Sequence, residues 1–551
     1  MAITALRLEN FGDPGLSETD LLARLAWLRD VIGPRLERFL GYYRNPTSGL
    51  AEAYPCPPRA HFACRPFRQF QELGLPARIT GFRRAADGSA ACGPAGEIQR
   101  KEVVIENDIA WRMDTLVDFA AARVPGITST AADPARRTVL TPVIAAILDA
   151  AICGGGGCVQ LLQALALEGL IGGSAWVQVR PSAELLGRLQ GVAESVDAPA
   201  SAAEIRRWLT LEVNSARGVC SMGRGGQGSC EAPAYIGVLR DAAPAGGLTG
   251  AGFLQRVRAW FGGGASADGP AAEQFSFDLF GANLWQRYDR GVLVEEGDNP
   301  LGVVPFVRYE NASDPAAGTR VGPAGSAAVD VGLGDVEPLI GLQDELNTRL
   351  SDRAYRVTMS SFRMFLGKGI DDFVKRPIGP GQMWGTDNTS ATIETFGGDQ
   401  TTPSEDSHIN EVREALDKIS GVPPVAAGVL REKLGNLTSA IALRITLIAL
   451  LARTERKRAA LTQTMGELVR MVLGILDAAG VVKSLPEERG IDVNWPTALP
   501  ESDMDRLTEA QVKLALGIPR NVVLTELGYG EVAEQAPAIA PEGNGELSPT
   551  A

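Results

Sequence analysis

Apolar residues recur every three or four positions along several stretches of this chain, which is the spacing of an amphipathic helix. The first stretch runs from Leu16 to Leu40. A second follows Asn107, a residue type that caps helices, and places Ile109 and Leu116 on its inward side. Two further helices are predicted on either side of the glycine run 154–157. The first part of the chain is therefore predicted to be rich in helices.

Shorter runs in the same part of the chain alternate apolar and polar residues, as strands do. Residues 175–180 predict a half-buried strand, and the runs between 275 and 307 predict an antiparallel meander. Residues 242–272 are rich in Gly, Ala, Ser and Pro, which predicts a surface insertion with little order. We therefore expect an α+β fold that is mainly helical, with a mixed α/β region up to residue 335.

After residue 335 the pattern becomes almost entirely helical. One long helix is predicted from Val336 to Phe365 and a second from Ser404 to Ser420, separated by a turn-rich segment with few strands. The second helix is ended by the sequence Gly421-Val422-Pro423-Pro424, because proline cannot continue a helix. A loop is expected from there to about residue 438.

The last part of the chain contains one exceptionally long helical pattern. It covers about forty residues, from Ser439 to Ala479, so we expect a kink at Gly466 or earlier. Two short helices are predicted at 502–516 and 521–527. The acidic tail from Glu531, rich in Pro, Gly and Ala, is expected to be disordered.

Composition and charge narrow the class of protein. The 551 residues suffice for about three or four domains, and 45% hydrophobic with 22% charged residues is the composition of a folded protein. The net charge of −13 argues against a nucleic-acid coat or an anchor on an anionic membrane, since both need a basic surface. We also expect no membrane-spanning segment and no secretion signal. Seven cysteines without framework spacing favour reduced thiols in a cytoplasm, although Cys56, Cys64 and Cys92 lie close enough in sequence for a bridge to stay open.

Few residues could carry enzyme chemistry. His61 and His408 are the only histidines, which leaves little material for a histidine-based triad or a zinc site. His408 is expected to cap or line the start of its helix. Cys153 and Cys158 lack the two further ligands of a closed tetrahedral site, so buried thiols at a helix junction are favoured.

Two other patterns suggest phosphate binding, but each has a simpler interpretation. Gly223, Gly225 and Gly228 fit the dinucleotide fingerprint, yet a strand instead of a helix is predicted after them, which favours a flexible loop. No segment fits the phosphate loop of nucleotide hydrolases. The basic run Arg453–Arg458 on the long helix is expected to form a solvated or intersubunit face.

The predicted order of elements resembles the portal proteins of tailed double-stranded DNA bacteriophages: a mixed domain, a long helix, a turn-rich module, a second helix, a proline-bearing loop and a very long helix. Short sequence segments also resemble those of portal proteins, at residues 101–109, 299–306, 339–350, 419–423 and 436–444. Together they cover roughly residues 100 to 530. None is a catalytic signature, so the resemblance rests on their order and spacing.

The resemblance implies a ring, usually of twelve subunits, at one capsid vertex, through which the genome is packaged and later ejected. It also implies a division of the chain into regions. These are an N-terminal wing at 1–335 with the insertion 242–272, a stem helix at 336–366, a clip at 367–403, a second stem helix at 404–420, a tunnel loop at 422–437, a long wing helix at 438–480, a C-terminal wing and crown at 481–530 and a disordered tail at 531–551.

The resemblance further implies partners and contact residues. In the tunnel loop, Arg431, Lys433 and Asn436 are candidates for contacts to DNA phosphates that do not read sequence. In the clip, the candidates for partner docking are Lys368, Asp371, Asp372, Lys375, Arg376 and Trp384. The implied partners are further copies of the chain, duplex DNA, the terminase large subunit, the major capsid or scaffolding protein, and adaptor or tail proteins. Catalytic residues, cofactor, metal and membrane are all expected to be absent, and the implied location is the virion, assembled in the host cytoplasm.

Two other classes of protein stay open at this point. One is a metal-dependent nucleic-acid-processing enzyme that uses clustered carboxylates such as Asp371 and Asp372. Adjacent residues point in different directions on a helix or a strand, so this pair lacks the convergence of a two-metal site. The other is a helical scaffold or adaptor protein that is not a portal. A ring with a central hole in electron micrographs would distinguish the portal from both.

Overall fold

The computed structural model describes residues 6–13, 16–44, 104–152, 157–191, 201–222, 233–240, 275–312, 332–361, 364–368, 389–396, 403–427, 444–499 and 503–517, with 520, 523 and 524. The chain divides into two units, 1–494 and 495–551. The fold is mixed α+β, mostly helical, with several small sheets. This agrees with the fold class expected from the sequence.

The N-terminal amphipathic stripe forms the predicted helix, with one irregularity. Helix α1 (Glu18–Trp27) continues through a π-helical turn (Leu28–Ile32) into α2 (Gly33–Arg44). The buried side of this helix is aliphatic, which is why it packs inward; it includes Leu21, Leu25, Leu28, Ile32 and Leu36.

The next part of the chain alternates helices and strands. In order these are α3 (Asp108–Ala121), β1 (Gly126–Ser129), α4 (Pro134–Leu148), β2 (Ala151–Ile152), α5 (Cys158–Gly172), β3 (Ser174–Pro181), α6 (Ala183–Leu189), α7 (Ala202–Trp208) and β4 (Leu209–Ser215). Helix α3 begins as predicted, because the Asn107 side chain accepts a hydrogen bond from the Ala110 amide at 3.2 Å. Helices α4 and α5 flank the glycine run, also as predicted.

The following strands form most of two sheets. They are β5 (Val219–Met222), β6 (Tyr235–Leu239), β7 (Phe277–Phe280), β8 (Leu284–Asp289), β9 (Val292–Asp298) and β10 (Phe306–Glu310). The sheet β5-β6-β7-β8-β9 is antiparallel throughout, so the predicted meander is confirmed over β7 to β9. Strand β10 leaves the meander and lies in a second sheet of order β10-β3-β4-β2.

Strand β3 differs from the sequence prediction in its burial. It was expected to be half-buried, but its first six residues are all buried. Helix α5 packs against it, and β10 and β4 pair with its two edges. A cluster formed by Trp176 of β3 with Val219, Ile236, Val304 and Phe306 joins residues of both sheets in one apolar core.

The predicted long helix after residue 335 ends earlier than expected. A 3₁₀ turn (Glu337–Leu339) leads into α8 (Ile340–Ser361), and Met364 and Phe365 belong to strand β11 (Met364–Lys368). The segment expected to have few strands contains β12 (Thr392–Phe396), which pairs antiparallel with β11, with Lys368 opposite Thr392. Helix α9 (Pro403–Ser420) matches its prediction to within one residue.

The longest helix is α10 (Ile448–Ala478), and it passes through Gly466 without interruption. The irregularity lies at Leu447, between a helical turn at 444–446 and the start of α10. Gly466 costs an α-helix only about 1 kcal/mol, and buried neighbours such as Met465 and Leu468 offset that cost. The expected kink is therefore placed earlier than the glycine.

Helix α10 packs against α3, α4, α5 and β10, and also against β13 (Ile491–Asn494), which pairs with β1. Among the described helices it is the one long and apolar enough to cross a membrane by length and composition, but half of that window is buried inside the protein. This is how the core helix of a folded protein behaves. The second unit contains helix α11 (Asp503–Ala515).

Candidate functional site at the end of helix α9

Most of the residues proposed for DNA and partner contact lie outside the described part of the chain. These are Arg431, Lys433 and Asn436 of the loop and Asp371, Asp372, Lys375, Arg376 and Trp384 of the turn-rich segment, together with His61, Cys153 and the glycines 223, 225 and 228. Lys368 is described, and it is exposed at the end of β11. The described geometry begins at the base of the loop, where α9 ends.

Helix α9 ends at a left-handed glycine, as its sequence predicts. Gly421 has a φ of 68°, a conformation that favours glycine and commonly terminates helices. Its amide donates to the carbonyl of Asp417 at 2.9 Å. Val422 is buried, and a 3₁₀ turn (Pro424–Ala427) follows. The loop therefore starts from a fixed and partly buried segment.

Arg112 of α3 forms hydrogen bonds to the C-terminal end of α9. Only 2% of its surface is exposed. Its Nη1 donates to Ser420 Oγ at 3.0 Å and to the Val422 carbonyl at 2.8 Å, and its Nη2 donates to Asp417 Oδ1 at 2.7 Å. A guanidinium near the C-terminus of a helix also interacts favourably with the helix dipole. Asp108 lies 3.7 Å from the guanidinium and adds a second negative charge.

Arg453 of α10 also forms a hydrogen bond to the C-terminal end of α9. Its Nη2 donates to the Ile419 carbonyl at 2.5 Å, and its Nη1 donates to Asp335 Oδ1 at 2.8 Å. A Cβ atom added to Gly421 would lie 2.8 Å from Arg453 Nε. The arginine side chain therefore packs directly over the glycine, which leaves no room for a larger residue without movement.

Asp335, just before the turn that starts α8, is the centre of a buried charge cluster. Its Oδ2 accepts from Lys457 Nζ at 2.5 Å and from Asn311 Nδ2 at 2.9 Å, in addition to the bond from Arg453. Burial raises the pKa of the Asp335 carboxyl, but the charge and hydrogen bond of Lys457, helped by Asn311 and Arg453, outweigh it. The pKa therefore lies below its ordinary value, and the group is held as a carboxylate.

The basic run 453–458 departs from the solvated or intersubunit face that its sequence predicts. Lys457 and Arg458 are buried, and Arg458 donates to the carbonyls of Phe119 and Ala120 at the end of α3. Glu455 and Arg456 are exposed. Successive residues of a helix point about 100° apart, so a six-residue run on a packed helix must turn some of its charges inward.

An extended segment at residues 104–106 lies along α8 and is held by side chains of that helix. Ser351 Oγ accepts from the Val104 amide at 3.0 Å, Asn347 Oδ1 accepts from the Glu106 amide at 2.9 Å, and Gln343 Nε2 donates to the Glu106 carbonyl. These three side chains are spaced four residues apart, so they share one face of the helix. The segment thereby joins α8 to the start of α3.

Ion pairs join α8 to α9 further from the loop. Arg353 Nη1 lies 2.9 Å from Asp406 Oδ1, and Arg356 pairs with Glu405. His408 was expected to cap or line the start of α9; it lies in the second turn instead, with Nε2 3.2 Å from Glu345 Oε1 of α8. His408 therefore forms a contact between α9 and α8 and does not cap α9.

Arg112, Asp335 and Asn311 were not singled out from the sequence. A signal for Arg112 was available, because it lies between Ile109 and Leu116 on the predicted inward side of α3. A charged residue at such a position is expected to have a buried partner. Asp335 and Asn311 offer no comparable local signal, since their partner Lys457 lies more than a hundred residues away in the sequence.

The described residues offer little for catalysis. Among them, no three His, Cys, Asp or Glu side chains come together as a metal site would require. Cys158 is buried at the start of α5, as expected for a thiol at a helix junction. Burial, followed by the charge of Asp149, raises the pKa of this thiol to about 11. It is therefore protonated and unreactive at neutral pH.

Comparison with known proteins identifies the family. The family described as "Phage portal protein, SPP1 Gp6-like" matches residues 276–545, about half of the chain. These residues include α8, the β11–β12 pair, α9 with the loop after it, and α10. Among curated proteins, none matches.

The solved structures that match this chain include chains of gene transfer agent (GTA) particles. One is a chain from the neck of an empty GTA particle computed with C6 symmetry, with 14% identity, a TM-score of 0.40, and coverage of 76% of this chain and 90% of that chain. A chain of the virion of a native GTA particle has 13% identity and a TM-score of 0.35, covering 76% and 89%. A chain from the neck of a native GTA particle computed with C12 symmetry has 13% identity and a TM-score of 0.34, with the same coverage.

Through residues 276–545 the chain belongs to the SPP1 Gp6-like family of phage portal proteins. The resemblance seen in the sequence is thereby confirmed. Portal proteins are structural components of the virion and not enzymes, so the family match sets aside the nucleic-acid-processing enzyme as well as the non-portal scaffold.

Proposed function

We propose that this chain forms a closed ring, of twelve subunits, at one vertex of the capsid, and that the genome is packaged and ejected through its centre. The observation that carries the proposal is the order of elements within the matched region: helix α8, a small strand pair, helix α9, a loop, and the long helix α10. Identical subunits that meet through two different faces close into a ring when the rotation between them permits.

We assign the parts of the ring to the chain as follows. The wing comprises 1–335 with the long helix 438–480, the stem 336–366 and 404–420, the clip 367–403, the tunnel loop 422–437, and the C-terminal wing and crown 481–530. The described elements support the stem and clip, because α8 and α9 run beside each other and the strands β11 and β12 join their far ends.

Exposure along α8 supports a neighbouring subunit at the stem. The apolar stripe is buried at Leu339, in the turn before this helix, and at Leu346, but Val357 near the far end of the helix is 54% exposed. Tyr355 of α8 and Ile419 of α9 are also exposed large side chains. Within a ring, adjacent copies of the helix pair would cover these side chains, and their burial would stabilise the assembly.

The charge of the chain suits a conduit for DNA. Each chain has a formal net charge of −13, so a ring of twelve carries a formal charge of about −156. This negative charge repels the duplex from most of the channel wall. Strong phosphate binding would retard sliding, so contacts should be few. We assign them to Arg431, Lys433 and Asn436 in the tunnel loop, whose donors can contact phosphates without reading sequence.

The outer surfaces of the ring would dock the remaining partners. We assign the clip residues Lys368, Asp371, Asp372, Lys375, Arg376 and Trp384 to the terminase large subunit during packaging and to adaptor or tail proteins afterwards. The major capsid or scaffolding protein would surround the wing.

The ring is tested by electron microscopy of the purified chain. Class averages should show a ring with a central hole and one rotational symmetry. A 58.2 kDa monomer at every protein concentration in capsid-like buffer would overturn the proposal.

The DNA contacts are tested in particles that carry the double variant Arg431→Ala with Lys433→Ala. Rings should form normally, while the packaged DNA is shorter or is retained less well. The double Glu variant should be more severely affected, because it adds repulsion. The matched control is Arg353→Ala, which removes an arginine already paired with Asp406 on the stem. Wild-type DNA length and retention in both loop variants would show that this loop does not contact DNA.

A further inference from the structure

We infer that Arg112 and Arg453 are positioning residues that hold residues 419–422, where the proposed tunnel loop begins, in a fixed direction, and that the DNA contacts assigned to that loop depend on them. The inference rests on the proposed function for the role of that loop. It concerns the described residues at the end of α9 and the first residues that follow the helix.

The first support is how the carbonyl groups at the end of α9 are bonded. The last four carbonyls of an α-helix have no partner within the helix and need donors from elsewhere. The Asp417 carbonyl accepts from Gly421, and the Ile419 carbonyl accepts from Arg453. The Val422 carbonyl, already beyond the helix, accepts from Arg112. The two arginines thus fix one point before Gly421 and one point after it.

The second support is the nature of the residue between those two points. Gly421 adopts a positive φ of 68°, and glycine has more backbone freedom than any other residue, so it is where the chain could swivel. Arg453 packs over this glycine closely enough that an added Cβ would lie 2.8 Å from its Nε. The glycine supplies the turn, and the arginine prevents the turn from opening.

The third support is that each arginine is itself anchored to a different element. Arg112 lies over the Trp111 ring at 4.5 Å and beside Asp108, both in α3. Arg453 belongs to α10 and is held by Asp335, which lies just before the turn that leads into α8. The direction of the chain where the loop begins is therefore set relative to α3, to α10 and to the segment that precedes α8. Charged hydrogen bonds of this kind are about twice as strong as neutral ones.

A third side chain at the same position is Ser420. Its Oγ accepts from Arg112 Nη1 and from the Val422 amide, and it donates to the Leu416 carbonyl. It links the guanidinium to the backbone of the first loop residue. Replacing it by Ala would leave the other bonds of Arg112 in place, which makes it a mild test of the same arrangement.

The experiment compares the full-length variants Arg112→Met, Arg453→Met and Ser420→Ala with the control Arg353→Ala. Arg353 is an arginine of the same helix pair, but it pairs with Asp406 at the opposite end of α9. Backbone hydrogen exchange is measured over residues 416–427, together with unfolding midpoint, ring formation and DNA length in assembled particles. Loss of a charged hydrogen bond should accelerate exchange in this segment about tenfold or more.

The expected result is local and functional. Exchange at 416–427 should be faster in the three variants and unchanged in Arg353→Ala, while exchange in the middle of α3 and α10 stays slow. Rings should still form, with an unfolding midpoint close to wild type in Ser420→Ala, and packaged DNA should be lost or shortened. A purely structural role would lower ring yield and midpoint in all three variants without a separate loss of DNA.

The outcomes separate this inference from the proposed function. Unchanged exchange at 416–427 overturns the inference even if the wild type forms rings and packages DNA. Faster exchange with normal DNA length and retention overturns the positioning role as well, and so does a collapse of ring formation in Ser420→Ala. If the wild type forms no rings, the proposed function fails. Even then, normal exchange in the variants would overturn the inference, and faster exchange would leave the fixed base of the loop supported.

Discussion

Replacing Lys457 by Met should destabilise the folded chain by about 3 kcal/mol at neutral pH. Lys457 is 5% exposed and donates to Asp335 Oδ2 at 2.5 Å and to Asn311 Oδ1 at 2.6 Å. Methionine has a similar length and volume, so the change removes the charge and both hydrogen bonds without leaving a large cavity.

The magnitude follows from the groups that are left behind. Removing one member of a buried ion pair costs about 3–5 kcal/mol, because the remaining charge is buried without compensation. Asp335 keeps its bonds from Arg453 and Asn311, which places the expected loss at the lower end. The Asn311 carbonyl oxygen also loses a donor, and an unsatisfied buried acceptor costs about 1–3 kcal/mol, which argues against a smaller value.

The loss should depend on pH in a predictable direction. The pKa of the Asp335 carboxyl lies below its ordinary value, because Lys457 and its other donors outweigh the effect of burial. A lowered pKa contributes stability that is complete above the unfolded value of about 3.9 and is lost as the pH falls through the folded value. Without Lys457, the effect of burial is opposed by Asn311 and Arg453 alone, so this pKa is higher in the variant than in the wild type. The difference between wild type and variant should therefore shrink as the pH is lowered, and should be smallest below about pH 4.

The assay is urea unfolding followed by the fluorescence of the chain's eight tryptophans, at pH 7 and at pH 4. The matched control is Arg456→Met, a change in the same basic run at an exposed position, with an expected effect within about 0.5 kcal/mol. A loss below about 1 kcal/mol for Lys457→Met at pH 7, or an equal loss at both pH values, would refute the reasoning.

Three further predictions concern single residues. Asn107→Ala should cost about 1 kcal/mol in urea unfolding, because it removes the cap of α3 and the bond from Asn107 Nδ2 to the Tyr43 carbonyl; no loss would contradict the cap. Gly421→Ala should cost at least about 1 kcal/mol, since its positive φ strains any Cβ, and a neutral result would contradict the left-handed turn. Cys158 should react very slowly with iodoacetamide at pH 8 and faster as the pH approaches its pKa of about 11, measured by peptide mass spectrometry; rapid labelling at pH 8 would contradict its burial.

Elements that are determined by local chemistry could be predicted from the sequence. Asn107 caps a helix with its own side chain, and Gly421 followed by two prolines ends another, so both boundaries depend on neighbouring residues only. The amphipathic stripe of α1 and α2 likewise records which side of the helix faces the core. The regional order that resembles portal proteins is built from such elements, which is why it was visible without a structure.

Pairings between distant parts of the chain could not be predicted in this way. Strand β10 directly follows the meander in the sequence. It pairs instead with β3, which lies more than a hundred residues earlier in the chain. Strands β11 and β12 pair across a long turn-rich segment, and neither alternates strongly enough to stand out. In both cases tertiary packing selects the partner strand. A short window of sequence does not identify that partner.

The candidate site was predicted only in part for the same reason. The sequence predicts a loop after Gly421, and the place of Arg112 on the inward side of α3 indicates a buried partner for it, but neither pattern shows that Arg112 and Arg453 bond to the chain on either side of Gly421. Arg453 belongs to a run that was interpreted as a solvated or intersubunit face, whereas its partners Asp335 and Ile419 come from elements separated from it along the chain. A run of charged residues in the sequence does not show which of its side chains face the core. That is decided by how the helix packs.

If α8 and α9 form the stem, as we propose, the arrangement of their charges would let DNA slide past an arginine-bearing surface. On α8, Arg349 pairs with Glu345 at 2.8 Å, and Arg353 and Arg356 pair with acidic residues of α9. Each of these three guanidinium groups is paired with a carboxylate, so in the proposed ring the two helices would present little net positive charge to the duplex and release few counterions on contact. The same ion pairs join the two helices, although each exposed pair contributes only about 0.2–1 kcal/mol. The proposed phosphate contacts are then left to Arg431 and Lys433 of the loop, which begins beside the bonds that Arg112 and Arg453 make at the end of α9. Under this proposal, retention of DNA in the ring would depend on the geometry of a few side chains at one constriction, and not on the affinity of the whole wall.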